Sequence, residues 1–346
     1  MIGFFQTGGI GDAILGTSVV RNLHDMYGEV TVFYCDHLVP QVYQGMEFVS
    51  DIVRSDISKF RDRDYISRLH PKIDFIVFNK FRKSVDGELN FFFPVKDSSV
   101  ELCREYGKKY VLALSEKMGV KINSVYDISP SSLIGLFNSE DDYFSDWHRF
   151  GLNCSYDGVS IPIYEYTRQR NLSISLPERF IIFHDSRSPI NGQSAYPLKA
   201  WAVDRWRELY SMVEGLGLPV IQFVSGGQKV FCDGIIPHYD VIGRDAMFQD
   251  YLYLLSRADV YIGTDSWPAH AAIFIDHPKY ILLKGAVSRR WDHGGRFSKI
   301  IRIGKCQACE GPAVSSSFCL SQDKNGCMQK ITAPIVYQTL LEMLHA

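Results

Sequence analysis

The 346-residue sequence contains no run of about 18 or more apolar residues, the length a helix needs to cross a bilayer. Ile2 to Phe5 are apolar, but no basic segment precedes them and the polar Gln6-Thr7-Gly8-Gly9 follows at once, so a secretory leader is not read here. A charge bias is also missing. With 37 Lys+Arg against 39 Asp+Glu, the formal net charge of -2 supplies no general cationic field to gather nucleic acid or anionic lipid. The complete G-x-G-x-x-G spacing and the Gly-Lys-Ser/Thr ending of a P-loop are both lacking, which makes dinucleotide or ATP binding a weak reading. The sole Asp-x-Asp, Asp62-Arg63-Asp64, lies in a polar stretch remote from the expected strand ends and reads as a solvated charge run, so no catalytic divalent metal is expected. Cysteines are sparse through most of the chain: Cys35, Cys103, Cys154 and Cys232 are scattered, while Cys306, Cys309, Cys319 and Cys327 crowd together. In the cytoplasmic setting these absences imply, such a cluster suggests a metal before disulfides.

What is present is globular material, 46% hydrophobic and 22% charged, in a chain too long for one core, since single cores stop growing near roughly 250 residues. The apolar pattern predicts two α/β domains. Met1 to Phe5 reads as a strand, Thr7 to Asp12 as a glycine-rich turn, Ala13 to Tyr27 as a helix and Val30 to Tyr34 as a strand, together one βαβ unit of a parallel sheet. Ile73 to Phe78 adds a strand and Leu102 to Met118 a helix, whereas the turn-rich run from Asn138 to Asn153 decorates this half, and Phe91-Phe92-Phe93-Pro94 has no assigned place. Beyond Pro162 to Asn171 the rhythm restarts. Strands are expected at Arg179 to His184, Pro219 to Val224, Asp259 to Ile262 and Lys279 to Leu283, with helices at Val203 to Leu216, Phe248 to Ser256, Pro268 to Phe274 and Ala333 to Leu344. The expected domains are 1–168 and 169–346. Ligands of open parallel sheets bind beyond the carboxyl ends of strands, so Thr7 to Asp12, His184 to Arg187, Ser225 to Gly227 and Gly263 to Ser266 should border an interdomain cleft.

Three short segments there combine residue types suited to handling a phosphorylated ligand. In Gly8-Gly9-Ile10-Gly11-Asp12, glycines turn the chain and open the backbone to a ligand, and Asp12 is either an N-cap or a functional carboxylate. Lys199-Ala200-Trp201 sets a cation before a helix, as solvated surface or as the neutralising charge for a diphosphate. Gly263-Thr264-Asp265-Ser266-Trp267-Pro268-Ala269-His270 leaves an apolar strand and opens a helix with proline near its start, where free amides suit phosphate oxygens. Asp265 or Ser266 as a simple cap, and His270 as a core histidine, are the alternatives.

In that order, Gly11-Asp12, Lys199-Ala200-Trp201 and Asp265-Ser266-Trp267-Pro268-Ala269-His270 resemble the motifs of glycosyltransferase family 9, the ADP-heptose-dependent heptosyltransferases. The resemblance implies a GT-B fold, two facing Rossmann-like domains with the 1–168 half for the acceptor and the 169–346 half for the donor. It implies inverting transfer of a sugar from a nucleotide-diphosphate donor, ADP-heptose in the family, to a glycan or protein hydroxyl at the bacterial surface, as in lipopolysaccharide biosynthesis or protein glycosylation. Asp12 would be the general base, Gly9 and Gly11 the phosphate loop, and Ser186, Lys199, Asp265, Ser266 and His270 would surround the donor. Trp267 stands where the family has a glycine. Nucleotide-sugar epimerases share the two-domain fold, and a silent sugar-nucleotide-binding assembly protein is a third reading.

Cys306-x2-Cys309-x9-Cys319-x7-Cys327 supplies four thiolates in a compact loop, enough for a closed tetrahedral site holding structural zinc or iron. Similar cysteine patterns ending in Cys-Met, here Cys327-Met328, occur in autotransporter heptosyltransferases of the family, and that resemblance implies iron and a homo-oligomer. The expected location is the cytoplasm, or the periphery of the inner membrane.

Overall fold

The computed structural model of the protein describes residues 1–35, 39–59, 62–79, 92–119, 147–148, 150–154, 172, 174–185, 189–190, 193–194, 199–224, 229–239, 247–272, 274–275, 279–284, 298–302 and 327–345. These fall into two compact α/β units, the first holding the described residues up to 154 and the second those from 172 onward.

The first unit contains strands β1 (Ile2–Gln6), β2 (Val30–Tyr34), β3 (Asp51–Arg54), β4 (Phe75–Phe78) and β5 (Phe92–Pro94), with helices α1 (Ile10–Tyr27), α2 (Val39–Tyr43), α3 (Arg63–Leu69) and α4 (Val100–Met118). The strands lie in the order β3-β2-β1-β4-β5, parallel except for the antiparallel edge strand β5. Ile2 to Phe5 and Phe75 to Phe78 are buried throughout, which is why they read as unbroken apolar runs. Glycine at position 16 lets α1 lie close on β1, since a Cβ there would come within 2.6 Å of both Gln6 Oε1 and Tyr43 Oη.

The second unit contains β6 (Ile181–His184), β7 (Pro189–Ile190), β8 (Gln193–Ser194), β9 (Val220–Val224), β10 (Ile236–Tyr239), β11 (Val260–Thr264), β12 (Lys279–Lys284) and β13 (Ser298–Arg302). Its helices are α5 (Val203–Glu214), α6 (Met247–Arg257), α7 (Trp267–Ala271) and α8 (Ala333–His345). The main sheet runs β10-β9-β6-β11-β12-β13, all parallel, with β7 and β8 forming a separate small hairpin. Numbered within the sheet, that order is 3-2-1-4-5-6, the doubly wound dinucleotide-fold topology. Strand residues alternate between its faces. Ile181, Phe183, Val260, Ile262, Ile281 and Leu283 share one core with Trp206 and Val213 of α5 and Val336 and Leu340 of α8. Ile182, His184, Tyr261, Gly263, Leu282 and Lys284 therefore face the other way.

Several expectations are amended. Phe92 is an edge-strand core residue, stacked on Tyr106 at 4.4 Å and edge-on to Phe150 at 5.0 Å. The run ending at Asn153 carries buried Trp147, Phe150 and Leu152, so its described end packs inward where decoration was expected. Asp62 caps α3 by accepting a hydrogen bond from the Tyr65 amide, which gives the Asp-x-Asp a structural job. α7 is five residues long, shorter than the pattern suggested. Among the described residues no helix is long and apolar enough to cross a membrane.

Candidate functional site

In sheets of this topology the ligand crevice opens where the strand order reverses, between strands one and four. In the first unit that point lies between the carboxyl ends of β1 and β4. There the Thr7 amide and hydroxyl both donate to Asn79 Oδ1, at 2.8 and 2.7 Å, and Asn79 Nδ2 donates back to the Thr7 carbonyl at 2.7 Å. This closed set of bonds fixes the chain as it leaves β1. Gly8 then takes φ +94°, a left-handed conformation that favours glycine, so the sharp turn rests on Gly8. Gly9 is the exposed N-cap of α1, and a Cβ on it would meet nothing within 4 Å. Gly11 and Asp12 lie inside the first helical turn, both half-buried. Asp12 is thus not the N-cap; it lies in the first helical turn, where negative charge is favoured.

In the second unit the reversal lies between β6 and β11, and the register Gly263 opposite His184 brings their ends together. Asp185, 1% exposed, accepts from the Trp206 indole N–H at 2.7 Å and from the Trp201 amide at 3.3 Å. Trp201 is itself fully buried and donates its indole N–H to the Ile331 carbonyl at 2.9 Å. These bonds explain the Lys-x-Trp segment: tryptophan is the anchor, and two residues upstream Lys199 Nζ reaches Asp265 Oδ2 at 3.1 Å. Far from being solvated surface, Lys199 is a mostly buried partner of a buried carboxylate. Burial alone would raise the Asp265 pKa, but the charges of Lys199 and Lys284 outweigh it and hold the group well below the usual carboxylate range.

Ser266 occupies the N-cap position of α7 without capping it. Its Oγ instead donates to the Thr264 carbonyl at 3.2 Å and lies 3.0 Å from His184 Nδ1. The same Nδ1 lies 3.2 Å from the Tyr261 hydroxyl. Burial drives the Tyr261 phenol well above its usual range, with Asp185 and Asp265 adding to the shift, so it stays protonated as a donor. Half-buried His270 is also neutral, its pKa pushed down to about 4 by burial and by Lys284 and Lys199 against the pull of Asp265. Trp267 stands edge-on to Tyr251 at 5.1 Å and tilted against Phe248 at 5.6 Å, so α6 fixes the indole beside these polar groups.

Lys199, Asp265, Ser266 and His270 therefore come together as the motifs suggested. Ser186 and Ser225 to Gly227 lie outside the described residues, as do Cys306, Cys309 and Cys319. Cys327 is half-buried and lies just before the buried Met328. Among the described residues no group of three or more His, Cys, Asp or Glu is arranged to hold a metal ion. His184 and Asp185 were expected to lie at a ligand-binding strand end but were given no role, and Tyr261 and Lys284 were not singled out. For His184, Asp185 and Lys284 the signal was a polar residue closing an apolar strand, as in Ile181-Ile182-Phe183-His184-Asp185 and Tyr280-Ile281-Leu282-Leu283-Lys284.

No protein-family model matches the sequence, and no curated protein matches it. Solved structures do. The chain is similar to the glycosyl transferase family 9 protein from Veillonella parvula DSM 2008 at a TM-score of 0.60 and 14% identity, over 99% of this chain and 97% of that one. It is similar to the E. coli ADP-heptose lps heptosyltransferase II at 0.60 and 14%, over 99% and 98%. The third is TibC, an iron-containing dodecameric glycosyltransferase from enterotoxigenic E. coli H10407, at 0.60 and 13%, over 99% and 75%. The fold is that of the family 9 glycosyltransferases. It agrees with the resemblance that the three motifs carry.

Two consequences are measurable. The Tyr261 ring lies over Gly263, where an added Cβ would fall inside van der Waals contact of its hydroxyl end. Gly263→Ala should push that hydroxyl off His184 and lower stability by about 1–3 kcal/mol in denaturant melts. His184, 7% exposed, has its pKa pushed down by burial to about 3, while an unfolded histidine titrates near 6.5. Above that pH both states are neutral; below it only the unfolded chain takes the proton. Stability should then fall by about 1.4 kcal/mol per pH unit from this residue as pH drops from roughly 6.5 toward the folded value. Urea midpoints for wild type and His184→Asn across that window test it: the variant should show the shallower slope.

Proposed function

We propose that the protein is an inverting glycosyltransferase that moves a sugar, heptose from ADP-heptose, to a hydroxyl of a bacterial surface glycan or protein. The observation that carries this reading is the Lys199–Asp265 pair, held with Ser266 and His270 at the strand-order reversal of the second sheet. A departing nucleoside diphosphate needs positive charge and hydrogen-bond donors, and Lys199 with the half-buried Ser266 and His270 provides them without a divalent metal. Asp12, in the first turn of α1, takes the acceptor proton as the hydroxyl attacks the sugar. Gly9 and Gly11 leave the backbone around it open, and Ser186 adds a donor-side hydroxyl. The similarity of fold to heptosyltransferases supports the same assignment. Residues 1–168 would then serve the acceptor and 169–346 the donor, in the cytoplasm or at the inner face of its membrane.

The test is incubation with ADP-heptose and either a heptose-deficient surface glycan or an autotransporter passenger protein. Mass spectrometry should show one added heptose, and NMR an anomeric configuration opposite to the donor's. Altered donor with no acceptor present would favour an epimerase; donor binding with no turnover on any acceptor would favour an assembly protein.

For the cysteine loop the donor set decides the fit: four thiolates at 306, 309, 319 and 327 suit zinc or iron and leave no open position for substrate. The group would staple the segment before α8 and could organise a homo-oligomer. Elemental analysis of the purified protein should find about one zinc or iron per chain, lost in Cys306→Ser.

A further inference from the structure

Asp265 has two lysines near it, and they differ in kind. Lys199 lies outside the strands, in contact with Asp265 Oδ2 at 3.1 Å, its side chain 15% exposed. Lys284 ends β12 and is 0% exposed. Thr264 pairs with Leu283 in parallel register, so the next residues, Asp265 and Lys284, leave the two strands side by side. The charges of both lysines act on the Asp265 carboxylate. One carboxylate thus sits among two cations, only one of which reaches the surface.

We propose that Lys284 is a positioning residue: the permanent counter-ion of Asp265, whose presence leaves Lys199 exchangeable between Asp265 and an incoming anionic ligand. Without Lys284, Lys199 would be the principal cation beside a buried carboxylate, and withdrawing it would strand a buried charge. With Lys284 fixed in the sheet, Lys199 swings to a diphosphate and Asp265 stays compensated. This rests on the donor-site reading above for the identity of the anion, but the exchange itself can be read without any ligand.

The experiment is competitive amine acetylation of the intact protein, with each lysine followed by peptide mass spectrometry. In native wild type Lys199 should react and Lys284 should stay protected; equal labelling of the two would overturn the proposal. Lys284→Met should slow Lys199 labelling about tenfold or more, the scale of one pK unit of added pairing. Asp265→Asn combined with Lys284→Met should restore it, since that pair of changes removes both buried charges together. Unchanged Lys199 labelling in Lys284→Met, or no restoration in the double variant, contradicts the exchange. Should Lys284→Met fail to fold, Lys284→Gln replaces it, and the wild-type comparison of the two lysines stands by itself. ADP, added in parallel, should protect Lys199 in wild type. ADP protection with no effect of Lys284→Met sinks this inference and leaves the donor reading intact. The Lys284→Met effect without ADP protection does the reverse.

Discussion

Asp12→Asn should lower kcat for sugar transfer by about 10²–10⁴-fold, the usual contribution of a positioned general base, while leaving donor affinity and thermal stability close to wild type. The expectation rests on where Asp12 lies. It is half-buried, in the first turn of α1, next to a backbone that Gly8 and the Thr7–Asn79 bonds hold in place. It is not the N-cap, so removing its charge takes away a favourable helix-end interaction of only about 0.3–1 kcal/mol. A residue kept only for the helix would show that small stability loss and nothing in kcat. Single-turnover rates with the variant separate the two, because an effect on chemistry appears there while donor binding by calorimetry stays unchanged.

The second large effect is on the fold as well as the site. Asp265→Ala should destabilise the second unit by about 3–5 kcal/mol, because it leaves Lys199 and Lys284 near each other without the carboxylate they compensate. Asp265 is only 5% exposed and Lys284 is fully buried, so water cannot take over that role. Donor binding should be lost too, since Lys199 is no longer held in position. Denaturant melts of Asp265→Ala beside Lys199→Ala distinguish these contributions: Lys199 reaches the surface and its removal leaves the charge of Lys284 acting on Asp265, so its variant should stay markedly more stable while binding no donor.

Much of this was legible in the sequence because buried parallel strands announce themselves as unbroken apolar runs. The strands expected at Met1 to Phe5, Pro219 to Val224 and Lys279 to Leu283 were found that way, and the glycine turn after the first strand fixed where α1 begins to within three residues. The strands that escaped, β3, β5, β10 and β13 together with the small hairpin β7–β8, are short elements at sheet edges or outside the main sheets, such as Asp51–Arg54, whose apolar content is too low to stand out. The candidate site divides similarly. Residues consecutive in the chain, Asp265, Ser266 and His270, could be read as one motif. Asp185, Tyr261 and Lys284 could not, because they belong to three different strands or strand ends and meet only through the β6-β11-β12 pairing. Lys199 was visible as a motif residue, but its role was not: that Trp201 and Asp185 anchor the segment is a fact of packing, not of spacing.

The measurement that tests the central claim most directly is calorimetric titration of ADP-heptose, ADP, GDP-mannose and UDP-sugars into wild type, Lys199→Ala and Asp265→Ala. The account predicts binding of ADP-heptose by wild type in preference to the guanine and uracil donors, and its loss in both variants. Failure of wild type to bind any nucleotide sugar would contradict it.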